Sequence, residues 1–332
     1  MRVLRILAFP ISLIYAVVVY IRNFLFDIDF FKSKKFNTPT ICVGNLSVGG
    51  TGKTPMIEFL LSTLKAEHKL AVLSRGYGRK SKGYQISTEA ATVEILGDEP
   101  YQIAQKFPEV PVVVDADRQH GIATLETSLV PDVILLDDAF QHRKVTPSFS
   151  MLLTAYDNRY QKDWYLPTGS LRDSKKEAKR ANLIVVTKCP MDLSNVEQEK
   201  IVKEIGPEAG QEVFFSFLHY KNELKGGSEN LEIIDLVNRK VTLVTGIANP
   251  QPLLSFLESK GILVEHLNFR DHHFFSETEI ENFNSKEFIL TTEKDYVRLK
   301  GKVFNLHYIG IEHQFLNEGA LRIKEAIRTV LN

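Results

Sequence analysis

The residues with the most specific chemical use in this chain of 332 amino acids are a lysine and a threonine behind a run of glycines: Ser47-Val48-Gly49-Gly50-Thr51-Gly52-Lys53-Thr54. Glycines let successive backbone N–H groups turn toward one point, and a helix start adds unpaired N–H groups and the positive end of its dipole. Lys53 adds a mobile charge for outer phosphates, and Thr54 offers a hydroxyl to Mg²⁺. The pattern G-x-x-x-x-G-K-[ST] puts Ser47 where its first glycine belongs, and Gly49 and Gly50 partly make up for it. A Gly-rich turn without a ligand is the plain alternative.

Acids form the second chemical group. Asp98-Glu99 precedes Pro100 and a short helical pattern. Helix capping explains one of these acids, and a general base with a metal-site helper explains both. An apolar run, 133–136, closes on Asp137-Asp138-Ala139-Phe140-Gln141-His142-Arg143. A strand ending in Asp is the form of a Walker B element that holds Mg²⁺; paired turn residues are the alternative. A further apolar run, 112–114, ends in Asp115-Ala116-Asp117-Arg118. Ser74-Arg75-Gly76-Tyr77-Gly78-Arg79 is a glycine-rich turn suited to an anionic ligand or to solvent. Arg172 sits in an ordered-looking loop, 165–173. Thr187-Lys188-Cys189-Pro190 follows a strand where some phosphate-loop proteins read a base. His272 and His273 form a pair with no further Cys or His at ligand spacing, so orienting a carboxylate or surface placement is the reading.

These groups need elements to hold them. The run 39–43 reads as a buried strand and 56–64 as a helix, the context a phosphate loop requires. Strands at 69–73, 112–114, 133–136, 151–154 and 183–187 alternate with helical patterns, which predicts a mostly parallel sheet covered by helices. Ligands in such sheets collect at the carboxyl ends of strands, where all of these motifs lie. Residues 221–230 turn polar and glycine-containing. A second α/β pattern follows, with strands at 241–245, 263–267, 288–292 and 303–309, helical stretches at 253–257 and 277–283, and an amphipathic helix at 320–330.

Composition is that of an ordinary globular protein, 44% hydrophobic and 25% charged. Basic and acidic residues balance at 41 each, which gives no sign of a nucleic-acid protein. Cys42 and Cys189 are no disulfide framework, and a reducing cytoplasm is expected. Residues 6–21 carry no charge. A span needs ~20 residues, so a signal peptide, a core helix and a membrane anchor compete. Arg2 and Arg5 before the run, and Arg22, Lys32, Lys34 and Lys35 after it, fit a segment held at the anionic cytoplasmic leaflet.

The motifs together resemble one family, the lipid A 4′-kinases (tetraacyldisaccharide 4′-kinases). The resemblance rests on 43–55, 74–79, Gly97-Asp98-Glu99-Pro100, 136–143, 186–188 and Asp271-His272-His273, in family order. It implies an α/β fold: a P-loop NTPase-like α/β/α domain, a second, smaller α/β/α domain and an N-terminal membrane-anchor helix. The expected division is 1–30 anchor, 31–222 kinase domain, 223–240 linker, 241–315 second domain and 316–332 closing helix. It further implies transfer of the ATP γ-phosphate to the 4′-hydroxyl of an acylated glucosamine disaccharide 1-phosphate, on the cytoplasmic face of the bacterial inner membrane. By matching motif, Asp98 looks like the base and His272 its orienting partner. Residues 47–54 bind ATP. Thr54, Glu99, Asp137 and Asp138 surround Mg²⁺, and Arg75, Tyr77, Arg118, Gln141 and Arg172 are substrate or phosphate candidates. The competing class is a membrane-tethered phosphate-loop NTPase that couples hydrolysis to a partner. The acid at Asp98 separates the two, because a kinase needs a carboxylate to receive the hydroxyl proton.

Overall fold

Thirteen strands make one continuous sheet in the computed structural model, which describes residues 8–227 and 231–331. Arg2, Arg5 and positions 228–230 of the expected linker lie outside the described residues. In chain order the elements begin with α1 (Phe9–Asp27), β1 (Thr40–Asn45), α2 (Lys53–Leu64), β2 (Leu70–Ser74), β3 (Gln85–Ile86), α3 (Val93–Leu96), α4 (Asp98–Lys106), β4 (Val112–Val114), α5 (Arg118–Ser128) and β5 (Val133–Asp137). There follow β6 (Phe149–Ala155), β7 (Leu183–Thr187), α6 (Asn195–Ile205), β8 (Glu212–Lys225), β9 (Leu231–Glu232), β10 (Val241–Thr245) and α7 (Gln251–Ser259). The last are β11 (Val264–Asn268), α8 (Glu277–Asn284), β12 (Ile289–Thr292), α9 (Glu293–Leu299), β13 (Leu306–Phe315) and α10 (Gly319–Leu331).

Strand order is β11-β10-β12-β13-β8-β7-β6-β1-β5-β2-β4-β3, with β9 beside β8. The first lobe is parallel from β8 to β4, and the second from β11 to β13. Their join is antiparallel: β8 gives its first residues to β7 and its later ones, from Ser216, to β13. The stretch read as a linker therefore contains the end of a long strand, then β9 and a short 3-10 turn at Ile233–Leu236. The lobes are linked by a two-stranded ribbon.

Parallel strands covered on both faces read as continuous apolar runs. β1, β2, β5 and β7 are buried along their whole length. On one face of β1, Met56, Ile57, Leu60, Leu61 and Leu64 of α2 are fully buried. Each such side chain contributes about 1.5–3 kcal/mol relative to exposure. Ile323 and Ile327 of α10 join that same cluster, so the last helix of the chain packs on the first lobe. α2 begins where Gly52, at φ +83°, turns the chain into the helix. Pro55 is tolerated in the first turn because its missing N–H has no intrahelical acceptor there.

α1 buries one side only. Ser12, Val19, Asn23 and Phe26 face the first lobe. Ser12 Oγ donates to Thr168 Oγ1 at 2.8 Å, Tyr15 Oη to the Arg172 carbonyl at 3.1 Å, and Asn23 Nδ2 to Asp173 Oδ1 at 2.7 Å. Ile11, Leu13, Ile14, Val17, Val18, Ile21 and Phe24 are exposed.

Candidate active site

β1 ends at Asn45 and the chain wraps into the glycine loop, which is held from outside by residues 163–172. Val48 N donates to the Ser170 carbonyl at 2.7 Å, and Arg172 N to the Leu46 carbonyl at 2.9 Å. Ser47 is buried and its hydroxyl donates to Asp163 Oδ2 at 3.1 Å. A serine at this position thus anchors the loop to its support. Asn45 Nδ2 donates to Thr51 Oγ1 at 2.9 Å, and Thr187 Oγ1, at the end of β7, donates to the Thr51 carbonyl at 2.8 Å. Gly49 stands at φ +116°, and a Cβ on Gly50 would meet Lys188 Nζ at 3.7 Å. Thr54 is half-buried at the start of α2.

The ribbon reaches this loop directly. His313 of β13 is buried between Ser216 Oγ (3.1 Å) and the Gly52 carbonyl (2.9 Å). A carbonyl only accepts, so Nε2 carries the proton and Nδ1 accepts from Ser216. Burial pushes the pKa of this imidazole down to about 4, against the pull of the Gly52 carbonyl, so it stays neutral. A Cβ on Gly52 would stand 2.9 Å from His313 Nε2, so glycine is required there by both space and backbone angle.

The next acids stand at the end of β5 and in the first turn of α4. Lys53 Nζ lies 3.8 Å from Asp138 Oδ1. Arg172 forks onto Asp138, with Nη1 3.0 Å from Oδ2, and also reaches the Asn45 side chain. Gln141 Nε2 donates to the Asn45 carbonyl at 2.6 Å, so this residue ties the β5 turn to the end of β1, where the glycine loop begins. Asp137 is buried, accepts from Ser74 Oγ at 2.8 Å, and leaves its Oδ1 without a hydrogen-bond partner. Its pKa is pushed up to about 7 by burial first, then by the charges of Glu99 and Asp138. Arg118 is buried, donates from Nη1 to the Asp115 carbonyl at 2.9 Å, and sets its charge against Asp137 and Asp138 from behind. Asp117 caps α5 through Gln119 N at 3.0 Å. Arg75 is exposed on the loop after β2.

An orphaned buried carboxylate oxygen, repelled by two neighbouring acids, fits a divalent cation. Among the described residues no three His, Cys, Asp or Glu side chains form a closed metal cage. Mg²⁺ is commonly held by one or two carboxylates with phosphates and waters, so the donor set suits it.

Asp98 opens α4 and is buried. His272, 174 residues later, brings Nδ1 to 2.6 Å from Asp98 Oδ2. His272 holds a backbone φ of +59°, and the exposed ring of Tyr77 lies edge-on to it at 5.9 Å. Arg298, from α9, donates through Nε to Asp98 Oδ1 at 2.9 Å and through Nη2 to Oδ2. Burial alone would raise the Asp98 pKa. The hydrogen bonds from His272 and Arg298 reverse this and hold its carboxyl well below the usual range. His273, by contrast, turns to Glu279 at 3.0 Å, in its own lobe.

Sequence reasoning missed α9. Thr292 caps it, Lys106 of the first lobe pairs with Glu293 and Glu58, and Lys294 pairs with Asp271. Asp295 is fully buried against Arg298 and the Gly246 N–H. Four charged residues in six, directly behind an apolar strand, were the available signal.

A family model described as tetraacyldisaccharide-1-P 4′-kinase matches residues 4–332. A tetraacyldisaccharide 4′-kinase of Flavobacterium johnsoniae is 47% identical over 323 residues, covering 96% of this chain and 94% of the relative. One from Bacteroides thetaiotaomicron is 43% identical over 88% of this chain and 82% of its own length. Among solved structures, the "apo" form of LpxK from Aquifex aeolicus in complex with ATP superposes with a TM-score of 0.82. It is 33% identical and the match covers 99% of this chain and all of that one.

Proposed function

The chain belongs to the tetraacyldisaccharide-1-P 4′-kinase family, and from that premise we propose how its cleft carries out the reaction. The protein is an ATP-dependent tetraacyldisaccharide 4′-kinase of lipid A biosynthesis. It moves the γ-phosphate of ATP to the 4′-hydroxyl of a tetraacyl-glucosamine disaccharide 1-phosphate, which yields lipid IVA.

Residues 47–54 wrap the phosphates, the Val48 N–H staying on the Ser170 carbonyl while the first turn of α2 turns its N–H groups to the ligand, and Lys53 directs its charge at the γ-phosphate. Thr54, Asp137, Asp138 and Glu99 would hold Mg²⁺, which offsets phosphate charge when bound. Arg172 keeps Asp138 in place, and its backbone supports the loop. Asp98 receives the proton of the 4′-hydroxyl as the new P–O bond forms. His272 orients that carboxylate from the second lobe. The 2.6 Å contact between Asp98 and His272 is the observation that carries this reading. It builds the base from both lobes.

ADP release tests it. Release is expected to depend on an added acylated disaccharide 1-phosphate, and the acceptor to gain the phosphate at its 4′ position. Equal ADP release without acceptor would instead mark an NTPase that couples hydrolysis to a partner.

The exposed apolar face of α1 supports attachment to the inner membrane from its cytoplasmic side, with Lys32, Lys34 and Lys35 exposed for anionic headgroups. Its polar stripe is engaged by the lobe, which favours a helix lying in the interface. Ile14→Glu with Val18→Glu should move the protein from the membrane fraction to solution, with kcat on detergent-dispersed substrate within about twofold, since both side chains point away from the lobe. Full retention in the membrane pellet would remove this face from the anchor.

A further inference from the structure

We propose that Arg298 is the positioning residue of the 4′-phosphoryl transfer: its guanidinium fork fixes the plane of the Asp98 carboxylate and leaves Oδ1 as the oxygen that takes the hydroxyl proton. The inference rests on Asp98 being the base, and it adds the device that aims it.

The geometry decides which atoms remain open. An ionised carboxylate has about four acceptor sites, two on each oxygen. Oδ2 faces both the His272 Nδ1 at 2.6 Å and the Arg298 Nη2. Oδ1 accepts from Arg298 Nε at 2.9 Å and from no other described residue. One site, on Oδ1, is left. When the 4′-oxygen attacks, its O–H bond breaks toward that site, the O–P bond forms, and the bond from the γ-phosphorus to the ADP oxygen breaks.

His272 is poised consistently. Its Nδ1 stands against a carboxylate, so it donates there, and Nε2 then accepts from Lys294 Nζ at 3.1 Å. Lys294 therefore sets the tautomer and Arg298 the carboxylate, from successive turns of one helix. Arg298 cannot drift: it is buried, and Asp295 Oδ1 holds its Nη1 at 3.2 Å. Asp295 is in turn locked by the Gly246 N–H at 2.9 Å and the Thr292 hydroxyl at 2.7 Å. A planar fork suits this task in a way a lysine cannot, because it fixes two oxygens at once.

The test is a mutant cycle on the full-length enzyme with tetraacyldisaccharide 1-phosphate and ATP. Arg298→Met should lower kcat roughly 10- to 100-fold, the scale of a misplaced reacting group, with the KM for ATP within about twofold. Arg298→Lys should recover only part of this, since it restores charge without the fork. In an Asp98→Asn background, Arg298→Met should cost less than about twofold more, because the two residues act as one unit. Unchanged kcat in Arg298→Met, full activity in Arg298→Lys, or an equal loss in both backgrounds would overturn the proposal. If Arg298→Met shows no cooperative melting transition, Arg298→Lys alone and in the Asp98→Asn background carries the test by the same criteria. Near-normal kcat in Asp98→Asn itself is a separate outcome, and it would remove Asp98 as the base.

Discussion

Asp98→Ala is expected to lower kcat by ~10²–10⁴-fold, the usual worth of a positioned general base, with little change in the KM for ATP. A sugar hydroxyl is a poor nucleophile while protonated, and something must take its proton as the phosphoryl group arrives. Asp98 is buried and held ionised by His272 and Arg298, and the next residue, Glu99, sets its charge against Asp137 of the β5 end. Loss of Asp98 removes the acceptor while the phosphate loop, built on β1 and α2, stays intact. His272→Ala should cost less, because it orients the carboxylate and Arg298 still does so. The double mutant should lose less than the product of the two single losses. Steady-state kinetics of the three variants check this. Near-normal kcat in Asp98→Ala, or losses that simply multiply, would move the base elsewhere, with Asp138 next in line.

Lys53→Ala should reduce kcat/KM by ~10²–10³-fold, comparable to removing one preorganised donor from a developing charge. Lys53 is half-buried at the first turn of α2, and its nearest acidic atom, Asp138 Oδ1, is 3.8 Å away. That spacing is loose for an ion pair, so the ammonium has room to swing to a phosphate. Lys53→Arg keeps the charge in a larger, planar group and should fall between the two. An unchanged kcat/KM in Lys53→Ala would remove the phosphate-loop reading.

The first lobe was readable because its signals are local. A buried strand, a glycine turn, Lys-Thr and an apolar-periodic helix follow one another within 26 residues, 39–64, and each reports on its neighbours. The acids at strand ends were readable for the same reason. Asp98 and His272 were paired only through family resemblance, since nothing local joins residues 174 positions apart. Arg298 had no such help: its meaning depends on a partner in the other lobe. β8 was hidden differently. Its later half, from Phe217 to Lys225, pairs with β13 and β9 and mixes buried and exposed positions. Its polar letters therefore resembled a linker. The polar stripe of α1, Ser12, Tyr15 and Asn23, was masked by the apolar residues around it.

The ribbon of β8 and β13 also constrains what the lobes can do. A ladder of paired strands resists sliding, because a shift of one residue turns every side chain to the wrong face. It yields far more easily to bending and twisting. The two lobes are thus coupled like plates on a leaf spring, stiff to shear and compliant out of plane. His313 fastens that spring to the Gly52 carbonyl, at the end of the glycine loop. Bending of the ribbon would therefore be felt first at Gly52, through this one hydrogen bond.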